Sequence, residues 1–244
     1  MSHWLEGFVH WTAAFGLNYS FLLDAYQRGS MINGALTTVL LCAFTIVGSL
    51  LAGLALAAML TSGKPYLARP ARAFIEVTRN TPTLVQLYCA FLVLNMLLTQ
   101  AVGAANPLTP FAWVVIVISL HKGAFHAEAL RAGIDAVPSV TLEAASSLAF
   151  SSRQLLWNVQ LPLAMRFALP SLINNLIDLV KMTAVASAIA VGDITYASIM
   201  IWTQSDNVLE LMILLLAFFG LLSFVVNCVG RALEAKLRMP GYGH

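Results

Sequence analysis

From Gly29 to Gly63 the chain carries no Asp, Glu, Lys or Arg. About 20 apolar residues already cross a bilayer core as a helix, so this stretch reads as one long, tilted span at residues 33–60. The turn Ser62-Gly63-Lys64-Pro65 closes it. Gly48 and Gly53 lie within the apolar run, where small residues let neighbouring helices approach closely. The rest of the chain agrees. Hydrophobic residues make up 59% and charged residues only 10%, against about 25% charged in a typical soluble domain. The expectation is an all-α integral membrane protein. A net charge of +2 leaves no footprint for nucleic acid.

Four further spans follow. Residues 73–98 form the second, with Glu76 and Arg79 spaced to pair near its start. Asn80-Thr81-Pro82-Thr83 interrupts that helix, because Pro82 lacks an N–H and clashes with the carbonyl four residues back. Backbone groups freed at membrane depth must meet side chains or line a cavity, which makes Thr81 and Thr83 candidates for either task. After a loop at Gln100–Pro110, residues 111–133 form the third span, loaded with His121, Lys122, His126 and Glu128. The fourth, at 167–190, contains Asp178 and Lys181. A polar loop with Gly192, Asp193 and Asp206 leads to the fifth at 208–231. Residues 1–30 hold Trp4, Phe8, Trp11, Phe15 and Tyr19 among polar groups. They read either as an interfacial helix with aromatic anchors or as a segment docked on the protein's own spans. Arg28 is the first basic residue and no A-x-A site is present, so this is not a signal peptide.

Basic residues set the orientation. Lys64, Arg69, Arg72, Arg79, Arg131, Arg153, Arg166, Arg231, Lys236 and Arg238 fall on one side, while 100–110 and 191–207 contain no Lys or Arg. The positive-inside rule places the N-terminus outside and the C-terminus in the cytoplasm. Cys42, Cys89 and Cys228 lie in separate spans without metal or redox spacing, and read as structural thiols. His121 and His126 are five residues apart, which is not the i,i+4 spacing of a helical metal pair. No metal site is expected.

One cytoplasmic stretch, Thr141 to Pro170, is too polar for a bilayer core although apolar segments flank it. Pro138-Ser139 offers a helix start, and Glu143 falls in the first turn, where the helix dipole favours an anion. Ser151-Ser152 breaks the pattern, and a second short helix is expected from Arg153 to Leu161-Pro162. Two short helices in a membrane protein's loop suit the docking of a soluble partner.

These residues carry a resemblance. Glu143-Ala144-Ala145, then Leu148, then Leu161-Pro162 resembles the EAA loop of ATP-binding-cassette importer permeases. GAFHAEALRAGIDAVP (Gly123–Pro138), RNTPTLVQL (Arg79–Leu87) and LVKMT (Leu179–Thr183) resemble the polar amino-acid branch in the same order, and the similarity covers most of the chain from Gly34 onward. It implies a non-catalytic permease domain at 31–244 following the 1–30 segment, with a coupling loop at 134–166. It also implies two cytoplasmic ATP-binding subunits that carry ATP and Mg, a second permease subunit, a periplasmic solute-binding protein and a place in the bacterial inner membrane. No cofactor would bind this chain, which has no phosphate-binding glycine loop. Glu143, Ala144, Ala145, Leu148, Ala149, Phe150 and Arg153 would couple to the ATPase, and Leu142, Leu148, Phe150, Leu155 and Trp157 would divide between that partner and the permease body.

Two departures concern the loop. Ala149 stands where the family has glycine after the leucine, which puts the tight turn in question, and Val140-Thr141 replaces Gly-Gln. They favour a paralogue over a second copy as the other permease subunit. In the span, the family's Leu-x-Lys-Asp/Glu-Thr-Ser reads Leu179, Lys181, Met182, Thr183, Ala184. A lysine at mid-span is a functional candidate by default. Lys181, Met182 and Thr183 would line a transport cavity with Asp178, Thr81, Thr83 and Lys122. Asp178, three residues before Lys181, also suits a buried pair with it; Lys122 has Glu128 as a candidate partner, although six residues is poor helical spacing. Glu128 and Arg131 read as a helix-stabilising pair. Two rivals remain: the same architecture serving an opine, a compatible solute or a dicarboxylic amino acid, and an intramembrane enzyme using Ser119, His121, His126 or Glu128.

Overall fold

A computed structural model describes residues 2–102 and 106–237; Arg238, counted above for orientation, lies outside them. Among the described residues there are helices and no strands. Five helical stretches are long and apolar enough to cross a membrane: Ala25–Leu60, Thr83–Val102, Pro110–Asp135, Ser152–Ile189 and Val208–Lys236. The five expected spans are present, but three of their boundaries move, and local backbone chemistry explains each shift.

The first span, α2 (Ala25–Leu60), follows the short α1 (Ser2–Ala13) and starts eight residues early. Asp24 caps it by accepting the Tyr26 N–H at 2.8 Å, so the polar first turns are helical although no apolar pattern marks them. A boundary at residue 30 therefore falls inside a helix. The stretch 65–98 is two elements. Helix α3 (Pro65–Arg79) buries only Ala71, Ile75 and Thr78. The chain then turns extended at Pro82, and the second span begins at Thr83 as α4 (Thr83–Tyr88), a π-helical segment at Cys89–Leu94 and α5 (Asn95–Val102). Residues 73–82 thus precede the span. The proline that was expected to kink the helix ends it.

Helix α6 (Pro110–Asp135) is capped by Thr109, which accepts the Ala112 N–H at 3.2 Å. It sits at the centre, packed against α2, α3, α4 and the fourth span. Its contact with α2 is unusually close. A methyl group on Gly123 would lie 2.7 Å from the Ala52 methyl and 3.2 Å from the Gly53 nitrogen. Small residues on both helices bring the backbones together.

The polar stretch after α6 forms α7 (Ser139–Ser147) and α8 (Ser152–Leu155), but the second short helix does not end at Pro162. It passes through a π-helical segment, Leu156–Gln160, into α9 (Leu161–Met182) and a 3-10 stretch, Thr183–Ile189. Pro162 is tolerated because the wider turn falls where its missing N–H would have been needed. The fourth span therefore reaches the loop without a break. Helix α10 (Ile194–Trp202) is capped by Asp193 and precedes α11 (Val208–Leu237).

Among the described residues, five apolar clusters hold the bundle, and three of them mark its middle and its two ends. One joins Leu41, Leu87, Trp113, Ile118 and Leu179 at its middle; another joins Phe21, Met31, Ile194, Ile201 and Leu211 at the α10 end; a third holds Val137, Leu163 and Ala164 at the loop end. The N-terminal segment docks and also exposes aromatics. The Asn18 N–H donates to Glu210 Oε1 at 2.6 Å and Asn207 Nδ2 donates to the Asn18 carbonyl at 2.9 Å, while Trp4, Trp11 and Phe15 stay exposed.

Candidate functional site

The site is built from charges placed on apolar helices. Along α9, Ser171, Asn174, Asp178 and Lys181 are exposed while Leu172, Ile173, Leu179 and Val180 are buried. Spacings of three and four residues put the polar set on one side of the helix. On α6, Phe125, Glu128 and Arg131 are partly open. Arg79, at the end of α3, completes the groove.

Pairing in this groove differs from the expected one. Asp178 pairs with Lys122 across α6 and α9, not with Lys181, and Lys122 does not pair with Glu128. Lys122 is only 2% exposed, whereas the Asp178 side chain is 56% exposed. A buried ammonium demands a counter-ion, and the neighbouring helix supplies it. Lys181 is exposed and has no ion pair among the described residues. Arg79 turns away from Glu76 to Glu128, at 3.9 Å, and Glu128 also meets Arg131 at 2.9 Å. Arg131 reaches Asp135 at 2.6 Å. Phe125 carries two cations: Lys122 Nζ lies 4.9 Å and Arg79 Cζ 5.3 Å from its ring centre.

The three threonines expected at a cavity differ in exposure: Thr183 is buried, while Thr81 and Thr83 are partly exposed. Thr183 is fully buried; its hydroxyl donates to the Val180 carbonyl at 2.8 Å and lies 3.6 Å from Cys42 Sγ. It packs α9 on α2 and does not line a groove. Thr81 donates to the Val77 carbonyl at 2.8 Å, and Thr83 Oγ1 lies 3.0 Å from His121 Nε2. Met182 is half-buried against the central cluster. Lys122, for its part, is an internal counter-ion to Asp178.

Gln86, which the sequence reading passed over, organises the break between α3 and α4. Its amide NH2 donates to the Thr78 carbonyl at 2.9 Å and to Thr81 Oγ1 at 2.6 Å, while its Oε1 lies 3.1 Å from His121 Nδ1. Backbone groups freed by Pro82 are thus satisfied inside the protein. The available signal was a lone amide in an apolar run, three residues after Thr83. The enzyme rival finds no support in this geometry. Ser119 Oγ and both His126 nitrogens are buried with no hydrogen-bond partner, so they form no nucleophile–base pair. No group of three or more metal-ligating side chains occurs among the described residues.

At the other end, Ala145 is buried and Leu142 packs beside Val137, Leu163 and Ala164, fixing α7 to the body. Ala145 is therefore an internal anchor and not a contact surface. Glu143, Ala144, Leu148, Ala149, Phe150 and Arg153 are exposed, as is Trp157, while Leu155 is half-buried. The tight turn forms without its glycine. Ala149 takes φ +59°, and the Phe150 N–H bonds to the Ala145 carbonyl at 3.4 Å and the Ala149 N–H to that of Ser146 at 3.0 Å. That pair of bonds is a Schellman closure. Ser151 and Gln154 then cap α8 reciprocally.

Residues 49–239 match the family described as the binding-protein-dependent transport system inner membrane component. The chain belongs to this family. As a transport-system permease it is a multi-pass protein of the bacterial inner membrane. A probable amino-acid ABC transporter permease, y4tF, of Sinorhizobium fredii is 34% identical over 178 residues, covering 72% of this chain and 74% of that one. The glutamate transport system permease GluC of Corynebacterium efficiens is 34% identical over 78% of this permease and 85% of its own length. The probable glutamine permease GlnM of Bacillus subtilis is 28% identical over 91% and 98%. Among solved structures, an amino acid ABC transporter with histidines superposes with a TM-score of 0.77 at 27% identity, covering 90% of this permease and 100% of that chain. The MetNI methionine transporter, at 17% identity and TM-score 0.69 over 88% and 100%, shares the fold.

Proposed function

We propose that this permease passes polar amino acids or related small zwitterions inward by alternating access between two permease subunits. In this reading a periplasmic binding protein delivers solute at the α10 end, where the N-terminus lies outside. Two cytoplasmic subunits that bind ATP and Mg dock on residues 134–166. The 1–30 segment and the 31–244 body are then the two parts of the chain, and a paralogue is the other permease subunit. Lys181 carries the reading. An ammonium at membrane depth is costly in hydrocarbon, and Lys181 is exposed and unpaired among the described residues, so this reading places its side chain on a polar path. Asp178 borders the same path. The exposed Glu143, Leu148, Phe150 and Arg153 form the docking surface.

The test is ATP hydrolysis by the purified assembly in lipid nanodiscs, with and without solute-loaded binding protein. Stimulation that collapses in Glu143→Ala is expected. Hydrolysis that never depends on this chain, or an ATPase that does not co-purify, would overturn the reading.

A further inference from the structure

We propose, building on that transport reading, that the path prefers solutes of net negative charge, the class of the dicarboxylic amino acids. The charges that decide this lie at membrane depth on the packed helices α6 and α9. Lys122 pairs with Asp178, and Lys181, three residues along α9 from that carboxylate, is exposed and has no ion pair among the described residues. The charge of that carboxylate is already balanced by Lys122. Lys122 is almost fully buried, and releasing Asp178 to a solute ammonium strands a bare cation inside the protein.

The other feature that holds ammonium groups, an aromatic face, is also taken, since Phe125 already carries Lys122 and Arg79. Met182, the residue beside Lys181, contributes no acid. Towards the loop end, Arg79 and Arg131 share Glu128, and Arg131 also holds Asp135, so no carboxylate of α6 in the groove is free of an arginine. Lys181 is the charge left over. A solute with two carboxylates and one ammonium complements it. One carboxylate meets Lys181, and the ammonium is served by the neutral acceptors of the α9 stripe, such as Asn174. A solute with a cationic side chain finds no acid to receive it.

Binding proteins impose their own selection, so the experiment omits them. Equilibrium binding of radiolabelled L-glutamate, L-glutamine and L-arginine is measured on the complete permease–ATPase assembly in nanodiscs. Glutamate is expected to bind at least tenfold more tightly than glutamine, with arginine weakest. Lys181→Gln should bring glutamate and glutamine together, and Lys181→Glu should invert the order toward arginine. Arginine binding best to the wild type overturns the proposal. So does an unchanged order in Lys181→Gln, the result expected if an acid of the second permease subunit neutralises Lys181. Absence of binding by all three solutes overturns it as well. Stimulation by loaded binding protein, run in parallel, separates the two failures: if it persists, the transport reading stands and only the charge preference falls.

Discussion

Ala149 sits in the left-handed region because the Schellman closure after α7 requires it there, and its Cβ makes that conformation costly by about 1–2 kcal/mol. Glycine removes the clash but frees the unfolded chain. Ala149→Gly should therefore stabilise the purified protein by about 0.5–1 kcal/mol, and Ala149→Val should destabilise it; thermal melts in detergent compare the two. Asp193 is a second residue held against its preference. It is fully buried, accepts the Tyr196 N–H at 2.9 Å and has one carboxylate oxygen without a partner. Burial raises its pKa from 3.8 to about 6, so the folded protein holds the proton more tightly than the unfolded chain. Stability from this group is full below pH 4, declines as pH rises through 6, and is flat above that. Asp193→Asn keeps the capping oxygen and cannot ionise. Stability measured across pH 4–8 should show the variant equal to the parent at the acid end and more stable above pH 6, by up to about 3 kcal/mol.

Between elements, the Lys122–Asp178 pair links α6 to α9 with unequal burial, and the inequality predicts an order of damage. Asp178→Asn leaves a buried ammonium without its counter-ion, a loss of about 3–5 kcal/mol. Lys122→Met leaves a carboxylate that water already reaches, and should cost clearly less. The double variant should recover most of the loss of Asp178→Asn, and equal damage from both single changes would contradict the pairing. The contact of α2 with α6 is sensitive in another way. Gly123→Leu has no space beside Ala52 and Gly53, so the two helices must part, and the yield of assembled complex should collapse. Neither the ion pair nor the break repaired by Gln86 was legible beforehand. Lys122 and Asp178 stand 56 residues apart; helical spacing pointed Asp178 to Lys181, and for Lys122 the nearby chain offered only Glu128, poorly placed six residues on. Only the packing of α9 on α6 chooses between such partners. Thr183 matches a cavity pattern by type, yet tertiary packing buries it. Lys181 stood out as a candidate because a charge in hydrocarbon is costly.

For the molecule as a whole, the five spans followed from hydropathy. Their ends did not, because hydropathy reports where lipid is and capping decides where a helix stops. Asp24 extends α2 beyond its apolar run, and Pro82 cuts the second span short. The fourth span carries the largest consequence. Since α8 runs through Leu156–Gln160 into α9, the docking loop and Lys181 share one helical body, and the residues between them fix the azimuth of Lys181. An α-helix turns by about 100° per residue. Inserting one alanine between residues 167 and 176 would leave the loop surface intact and swing Lys181 out of the groove. Such a variant should retain its ATPase partner in co-purification and lose hydrolysis stimulated by loaded binding protein, whereas Leu169→Ala should keep both. Chain length in this stretch is held by phase: residues there can be exchanged, but none can be added.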